Sequence, residues 1–464
     1  MNLVHVGSAG EVGMDLAGRA AGVAALLGRM GVVPGRPVAV RTGSALALAL
    51  LARAAPAVGV ALFPIDPDLP EAAVGDLLDT AAIRHVVAER PLAGRTTIPV
   101  ADVLAARALP PVSPRLAGAD IALLIATSGS TGQPKAAMLT EDNLRAAAAA
   151  SARVLPLGPG DRWLACLPLF HIGGYSILSR CVRAGAGIVL HERFDPQAVA
   201  ATLSRHAVSH VSLVPAMLAR LLDGVGDAPP PPALRHVLIG GAALSQALAE
   251  RASAAGWPIR PSYGMTETAS QLATLAELRP GWRRGMVGPP LPGAQVAFDG
   301  AGRLMVRGPM VMAGYANPAL RPGEGLSDGW FVTNDLGEFT EAGELIVHGR
   351  ADDMLVSGGK TISPHMVEDM LARCPDIGAV AVTGRGDPAW GDVLVAIFTG
   401  AVAADALLAW CRESIPAPWR PRRALKIPAL PLTASGKLDR KALRRLAEGD
   451  EADSGSGGEP QPAG

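Results

Sequence analysis

The chain has 464 residues, with 42 Lys and Arg against 42 Asp and Glu and no net formal charge. This length exceeds the size at which one hydrophobic core usually stops growing, so we expect a large domain and a smaller one. The balanced charge excludes a field that would draw the whole chain onto nucleic acid or an anionic membrane. The expected partner is therefore a small molecule and not a nucleic acid, and the sequence leaves a homodimer open.

Cysteine usage and the N-terminus both predict a cytoplasmic protein. The four cysteines have neither the close pairs of a zinc site nor the density of a disulfide framework. They are Cys166, Cys181, Cys374 and Cys411. The first residues carry acids and glycines instead of a basic region followed by an apolar run, so no secretory signal is expected.

The most apolar stretch runs from Ser44 to Phe63 and has nearly the length of a membrane span. Arg53 and Pro56 interrupt it. We therefore expect a buried helix followed by a core strand, and no membrane span.

Along the chain up to Gly343, apolar runs such as RPVAV and RHVVAE alternate with alanine-rich stretches, which predicts layered α/β structure with mostly parallel sheets. From there to Leu446, shorter strands and a few short helices predict a small α+β domain. With the boundary in the polar turn HGRADD, the predicted domains are residues 1–348 and 349–446. Residues 447–464 have little apolar surface to bury and are predicted to be disordered.

A loop rich in hydroxyl groups and glycine follows the run IALLIA, from Thr127 to Lys135. Its glycines allow close backbone approach, so that N–H groups and hydroxyls can surround phosphate oxygens while Lys135 adds positive charge. These residues are Thr127, Ser128, Gly129, Ser130, Thr131 and Gly132. Phosphate binding is the predicted role, and a flexible surface loop is the alternative.

The loop differs from a Walker loop, in which Gly-Lys-Ser/Thr enters a helix. Here Pro134 precedes Lys135, disfavours helical geometry at Gln133 and removes one N–H group. We therefore expect a phosphate loop of another class.

The order TSGSTGQPK resembles the phosphate loop of the acyl-adenylate-forming (AMP-binding) superfamily, which includes acyl- and aryl-CoA ligases, peptide-synthetase adenylation domains and luciferases. Six further segments resemble family motifs in the family's order. They are Gly240–Ala242, Tyr263–Glu267, Asn334–Asp335, Gly349–Asp352, Ser357–Gly359 and Leu432–Lys437. The resemblance implies a large N-terminal α/β adenylating domain, a small mobile α+β C-terminal domain, and ATP, Mg²⁺ and coenzyme A as ligands.

The resemblance also implies which residues hold the nucleotide. Tyr263 would stack on adenine, with Gly241 and Ala242 letting the base lie flat. Asp335 would accept hydrogen bonds from the ribose hydroxyls, although the preceding Asn334 stands where the family usually has Gly. Beyond the loop residues, the other implied cofactor-binding residues are Gly264, Met265, Thr266, Arg350, Gly358, Gly359 and Lys437.

The implied catalytic residues are Thr127, His171, Glu267 and Lys437. Glu267 would hold Mg²⁺ through its hard carboxylate oxygens, and Thr266 would contact the α-phosphate. Lys437 would stabilise charge as pyrophosphate leaves. Asp352 matches the family's hinge, about which the small domain would swing between the two half-reactions.

The segment Leu167–Gly174 lacks the Asp that amino-acid-activating members place after its aromatic residue, so an amino-acid substrate is not expected. Three runs, LPLFHIGGYSILSR, SLVPAMLARLL and especially YGMTETASQLATL, resemble those of o-succinylbenzoate:CoA ligases of menaquinone biosynthesis. His171, Ser270 and Gln271 would line the acid pocket. Arg180 would pair with the second carboxylate of the substrate, and a surface arginine that caps its helix is the alternative.

Two other functions stay open. The chain could be a CoA ligase for another aromatic or aliphatic carboxylic acid. It could also be a homologue that keeps the fold but has lost CoA ligation, either non-enzymatic or an adenylating protein that loads a carrier protein. The sequence shows no fused carrier domain, so free coenzyme A is the expected acceptor.

Overall fold

A computed structural model of the chain describes residues 2–7, 10–128, 134–226, 228–357, 359–388, 391–433 and 437–449. The chain divides into two compact units, Met1–Val347 and His348–Gly464. This division falls beside the polar turn at which the sequence predicts a domain boundary. Gly129, Ser130, Thr131, Gly132 and Gly358, all predicted to bind ligands, lie outside the described residues, as does the tail after residue 449.

The first unit alternates strands and helices over most of its length. Its strands are β1 (Asn2–Gly7), β2 (Gly10–Asp15), β3 (Val38–Arg41), β4 (Leu62–Ile65), β5 (His85–Ala88), β6 (Thr96–Pro99), β7 (Ile121–Ser128), β8 (Pro134–Thr140), β9 (Arg162–Ala165), β10 (Gly187–His191), β11 (His210–Leu213), β12 (His236–Ile239), β13 (Ile259–Tyr263), β14 (Ala273–Thr274), β15 (Met286–Gly288), β16 (Gln295–Phe298), β17 (Arg303–Arg307), β18 (Gly314–Tyr315), β19 (Phe331–Phe339) and β20 (Leu345–Arg350), the last of which crosses into the second unit. Its α-helices are α1 (Leu16–Arg29), α2 (Ala45–Val58), α3 (Glu71–Thr80), α4 (Val100–Ala105), α5 (Glu141–Ala152), α6 (Ile172–Ala184), α7 (Pro196–Arg205), α8 (Pro215–Val225) and α9 (Gln246–Ala254).

Two large sheets of this unit are mostly parallel, as the alternating pattern predicts. One has the strand order β18-β8-β7-β4-β3-β5-β6, with a parallel body and antiparallel pairing at β8 and β18. The other has the order β14-β13-β12-β11-β9-β10-β1-β2, and only its edge strands β14 and β2 are antiparallel.

A third sheet departs from the predicted α/β layering. Its order is β15-β20-β19-β17-β16, and the pairings between β15 and β20, β16 and β17, and β17 and β19 are antiparallel. The prediction of layered α/β structure up to Gly343 is therefore wrong for this stretch. Antiparallel neighbours, unlike parallel ones, need no crossover helix between them.

The apolar stretch from Ser44 to Phe63 forms a buried helix, α2, followed by the core strand β4, as predicted. The Ser44 side chain accepts the N–H of Ala47 at the start of the helix, and Gly59, at φ 83°, ends it in the left-handed conformation. Within the described ranges, no helix has the length and apolar character that crossing a membrane requires.

The second unit is α+β. Its strands are β21 (Leu355–Ser357), β22 (Lys360–Ile362), β23 (Ile377–Asp387), β24 (Gly391–Gly400) and β25 (Arg423–Lys426), and its α-helices are α10 (Pro364–Leu371), α11 (Ala404–Ser414) and α12 (Arg440–Glu448). The sheet order is β22-β21-β24-β23, with β25 beside β24. Helix α12 buries Leu443 and Ala447. The predicted tail therefore starts too early, because residues 447 and 448 are helical.

Candidate active site

The phosphate loop joins two antiparallel strands. Thr127 on β7 lies opposite Lys135 on β8, and its Oγ1 donates a hydrogen bond to the Lys135 carbonyl at 3.5 Å. The chain leaves the loop as a strand and not as a helix, which agrees with the prediction from Pro134 that this is not a Walker loop. Ser128 ends β7, and residues 129–133 lie outside the described part of the chain.

Tyr315 connects this hairpin to the predicted metal ligand. Strand β18 pairs with β8 so that Tyr315 lies opposite Ala137. The ammonium of Lys135 is 5.1 Å from the centroid of the Tyr315 ring, and the Tyr315 hydroxyl donates a hydrogen bond to Oε1 of Glu267 at 2.8 Å. Burial, followed by the Glu267 carboxylate, raises the pKa of Tyr315. The phenol therefore stays protonated and remains a donor.

Tyr315 was not among the residues predicted from the sequence. The chain contains only three tyrosines, and two of them, Tyr263 and Tyr315, donate hydrogen bonds to the two carboxylates predicted at the site. In a chain so poor in aromatic residues, a tyrosine in the turn-like segment GYANP was a signal that could have been used.

Glu267 lies in a 3₁₀ turn, Thr266–Thr268, that follows β13 after Gly264 and Met265, and only 9% of the residue is exposed. The N–H of Met312 donates to the Glu267 carbonyl at 2.8 Å and fixes the turn. Among the described residues, no group of three or more His, Cys, Asp or Glu could hold a metal. A single carboxylate fits Mg²⁺, which keeps several waters and shares phosphate oxygens with its nucleotide.

The loop from Gly264 to Ser270 is strained. Ala269 has φ 51° and Ser270 has φ 103°, conformations that residues with side chains rarely adopt. A Cβ atom at position 264 would lie 1.6 Å from the Ser270 carbonyl oxygen, so only glycine fits there. Met265 closes the turn, because its N–H donates to Oγ1 of Thr268 at 3.1 Å. The backbone, and not only the side chains, thus fixes where Glu267 points.

Tyr263 and Asp335, predicted to contact adenine and ribose, lie together. The Tyr263 hydroxyl donates to Oδ2 of Asp335 at 2.5 Å, and the N–H of Asp335 donates to Oγ1 of buried Thr333 at 3.0 Å. Burial, followed by the Asp335 carboxylate, raises the pKa of Tyr263. A neutral phenol therefore faces a carboxylate that presents acceptor oxygens.

Gly241 and Ala242 follow β12, separated from it only by Gly240, as predicted, and Tyr263 ends the neighbouring parallel strand β13. Gly241 has φ 78°, which favours glycine. In sheets of this kind, ligands bind in the crevice at the carboxyl ends of parallel strands. The residues predicted to hold adenine are therefore at a suitable edge of the sheet.

Of the residues predicted to line the acid pocket, Gln271 is the most constrained. It is buried, its Oε1 accepts the Ser151 hydroxyl at 2.6 Å, and its Nε2 donates to Oγ1 of Thr274 at 2.7 Å. Thr274 in turn donates to the hydroxyl of Ser262 at 3.0 Å. This buried polar chain joins α5 to strands β13 and β14.

His171 immediately precedes α6, with its ring 4.7 Å from that of Phe170. Further along this helix, Arg180 is 4% exposed, which makes the alternative of a surface arginine wrong. None of its three guanidinium nitrogens has a hydrogen-bond partner among the described residues. Burial lowers the pKa of Arg180 to about 10, so the side chain still carries its charge at neutral pH.

Four other predicted residues lie in the second unit. Arg350 and Asp352 form a bidentate ion pair, with Nε–Oδ1 at 2.8 Å and Nη2–Oδ2 at 2.9 Å, beside the division between the units. Lys437 closes a turn with Thr433, whose N–H donates to the Lys437 carbonyl at 2.7 Å. Gly359, at φ 76°, follows β21. The ligand roles of these residues stay predictions.

The family model described as AMP-binding enzyme matches residues 14–316, and the model of the AMP-binding enzyme C-terminal domain matches residues 366–437. The chain belongs to the AMP-binding enzyme family. The predicted family and the fold class, a large α/β domain with mostly parallel sheets and a C-terminal α+β domain, are confirmed.

Relatives of this AMP-binding enzyme include proteins with an assigned reaction. A 2-succinylbenzoate–CoA ligase from Bacillus cereus is 37% identical over 336 residues, which are 70% of each chain. The o-succinylbenzoate CoA synthetase (MenE) from Bacillus subtilis with its acyl-adenylate intermediate OSB-AMP is 30% identical, with a TM-score of 0.83 over 95% of this chain and 94% of that one. The same synthetase with ATP and a magnesium ion has a TM-score of 0.83 and 30% identity over 95% of this chain and 96% of that one.

Proposed function

We propose that this AMP-binding enzyme is an ATP-dependent o-succinylbenzoate–CoA ligase of menaquinone biosynthesis. In the first half-reaction, the acid's carboxylate oxygen attacks the α-phosphate of ATP and pyrophosphate leaves. In the second, the thiol of coenzyme A attacks the acyl carbon, a thioester forms and AMP leaves. A carboxylate oxygen is a poor leaving group, whereas AMP is a good one, and this difference is why adenylation must precede thioester formation.

The nucleotide would lie against the edge formed by β12 and β13. Tyr263 offers a ring face for adenine, Gly241 leaves room beside it, and Asp335 offers carboxylate oxygens to the ribose. Thr127, Lys135 and the rest of the hairpin loop would hold the phosphates. Mg²⁺, when bound at Glu267, would neutralise charge on the phosphates.

Glu267 is held ready for this role by the chain itself. The hydrogen bond from Tyr315 and the strained 264–270 loop fix its orientation. Lys135, proposed to bind phosphate, lies over the Tyr315 ring, and Glu267, proposed to bind the metal, accepts a hydrogen bond from the hydroxyl of the same residue. Tyr315 therefore contacts both side chains.

Arg180 is the observation that best supports a substrate with two carboxylates. A buried guanidinium without a partner is costly unless an anion joins it. The expected acid has two carboxylates, and only one of them is adenylated. The second would supply the missing bidentate partner, which explains an otherwise unfavourable arrangement. Ser270, Gln271 and His171 would form further walls of this pocket.

The second unit would complete each half-reaction. Lys437 would stabilise charge as pyrophosphate leaves, and the segment with Gly358 and Gly359 would serve the second step. Asp352, held by Arg350 beside the division between the units, would be the hinge. All four cysteines are buried and unpaired, which supports the proposed reducing, cytoplasmic location. A homodimer stays a prediction.

The function is tested by pyrophosphate release from ATP with Mg²⁺ and a panel of acids, each with and without coenzyme A, followed by mass detection of the thioester. We expect a strong CoA-dependent signal with o-succinylbenzoate. A signal only with other acids would contradict the substrate, and an adenylate that never becomes a thioester would point to a carrier protein as the acceptor.

A further inference from the structure

Trp163 is the side chain that meets the Arg180 guanidinium. It lies on β9, 1% of it is exposed, and the Arg180 Cζ is 5.5 Å from the centroid of its ring. Arg180 makes no ion pair and no hydrogen bond through its guanidinium with any described residue. The face of the tryptophan ring therefore offers this buried cation an electrostatic attraction.

The ring itself is held firmly. The indole N–H donates a hydrogen bond to the Ser212 hydroxyl at 3.1 Å, and the His210 ring stacks on the indole with centroids 4.9 Å apart and an interplanar angle of 29°. Both residues lie on β11, the strand beside β9. Burial lowers the pKa of His210 to about 4, so this neighbour is uncharged at neutral pH and does not oppose the Arg180 cation.

An arginine over an aromatic face differs from one in an ion pair. The ring attracts the cation without using any of its N–H groups, so all five donors stay available to a planar anion. An acidic residue in the position of Trp163 would consume these donors. The pairing thus keeps Arg180 charged, buried and able to bind a carboxylate in a bidentate manner.

We propose that Trp163, fixed by Ser212 and His210, is a positioning residue for Arg180 and thereby a determinant of specificity for dicarboxylic acids. This inference rests on the proposed function, because it takes the second carboxylate of the substrate as the ligand of Arg180. Trp163 acts through Arg180, and its loss affects the carboxylate that is not adenylated.

The test compares the variants Trp163→Leu, Trp163→Phe, Arg180→Met and Trp163→Leu/Arg180→Met in the full chain. For each, KM and kcat are measured with o-succinylbenzoate and with two monocarboxylic analogues that each lack one of its carboxylates, 3-benzoylpropionate and 2-butyrylbenzoate. Trp257→Phe is the matched control, because Trp257 is also buried but belongs to the core on the opposite face of the same sheet.

We expect Trp163→Leu to raise KM for o-succinylbenzoate about thirtyfold and to change kcat much less. For whichever of the two monocarboxylic analogues the enzyme adenylates, KM should change by less than about threefold, which is roughly the effect of a minor packing change. Trp163→Phe, which keeps a ring, should restore most of the affinity. The double variant should be no worse than Arg180→Met alone, because the two residues act as one unit.

Equal losses with dicarboxylic and monocarboxylic acids, or additive effects in the double variant, would overturn the positioning role. If the wild-type chain activates a different dicarboxylic acid, the substrate assignment fails but the coupling of Trp163 to Arg180 is measured on that acid. If it activates only monocarboxylic acids, both proposals fail.

Discussion

The Tyr263 hydroxyl donates a 2.5 Å hydrogen bond to Oδ2 of Asp335 and so joins the end of β13 to β19. The two strands belong to different sheets. One bond thus fixes the residue proposed for adenine relative to the residue proposed for ribose. Because the acceptor is charged, the bond is stronger than one between neutral groups.

Tyr263→Phe keeps the ring and removes this bond. We expect KM for ATP to rise about tenfold, because a hydrogen bond to a charged group contributes about 1.5 to 3 kcal/mol. KM for the acid should not change. Tyr263→Leu, which also removes the ring, should raise KM for ATP further. Steady-state pyrophosphate release at varied ATP checks both variants, and an unchanged KM for ATP in Tyr263→Phe would contradict the positioning role of the bond.

Glu267→Gln conserves shape but removes the proposed metal ligand's charge. We expect adenylation to slow on the order of a hundredfold and to need more Mg²⁺, because metal binding is worth several kcal/mol of charge stabilisation. Tyr315→Phe should slow it about tenfold, since it removes only the hydrogen bond that orients Glu267. Magnesium titrations of pyrophosphate release measure this, with Glu250→Gln at an exposed helix position as the control. An unaltered Mg²⁺ requirement in Glu267→Gln would exclude it as the ligand.

The sequence predicted those parts of the fold whose signals are local. The stretch from Ser44 to Phe63 is buried because its own residues are apolar, and Pro134 excludes a helix by its ring alone. Tyr315 was not predictable in this way, because its place beside Glu267 depends on the pairing of β18 with the distant strand β8. Arg180 was named from the sequence, but its burial against Trp163 depends on which face of α6 packs on the sheet.

The strained backbone of the 264–270 loop could not be predicted from the sequence either. Nothing in the residue types of Ala269 and Ser270 indicates positive φ angles, and only the close approach of the Ser270 carbonyl to Gly264 reveals why they arise. In the antiparallel sheet β15-β20-β19-β17-β16, burial does not alternate regularly along the strands, so the sequence pattern was too weak to separate this sheet from the α/β layers.

Gly264→Ala tests this strain. The added methyl group would lie 1.6 Å from the Ser270 carbonyl oxygen, a contact with backbone that cannot move aside easily. We expect the free energy of unfolding to fall by about 3 kcal/mol and adenylation to be largely lost. Gly224→Ala is the control, because a Cβ there in α8 meets nothing within 4 Å and should be neutral or stabilise the helix by up to about 1 kcal/mol. Thermal and denaturant unfolding measure both.

We expect the protein to lose stability in acid because of His210. It is 0% exposed, and burial, followed by the charge of His236, lowers its pKa from 6.5 to about 4. Between these two pH values the unfolded chain binds a proton that the folded chain does not. The free energy of unfolding therefore falls as the pH drops from 6.5 to 4, by about 3 kcal/mol from His210. His236, whose pKa burial also lowers to about 4, acts in the same direction.

Denaturant unfolding at a series of pH values checks the His210 prediction. His210→Phe keeps a ring beside Trp163 and removes the titrating group, so its unfolding free energy should depend less steeply on pH between 4 and 6.5 than that of the wild type. His5→Phe is the control, since His5 pairs with Glu192 away from this stack. Identical slopes for His210→Phe and the wild type would show that the histidine does not titrate differently in the folded state.

Lys437→Ala separates the two half-reactions. The charge that this lysine is proposed to stabilise develops only as pyrophosphate leaves, so we expect adenylate formation to be crippled while thioester formation from supplied acyl-adenylate stays largely intact. The Lys437 turn is tied to α12, whose Arg440 donates to buried Glu368 at 2.8 Å, so removing the side chain should leave the second unit folded. Lys441→Ala, one residue beyond Arg440 on an exposed position, is the matched control. Single-turnover rates of adenylate formation and of thioester formation are measured separately for each variant. Equal losses in both rates would contradict a role confined to adenylation.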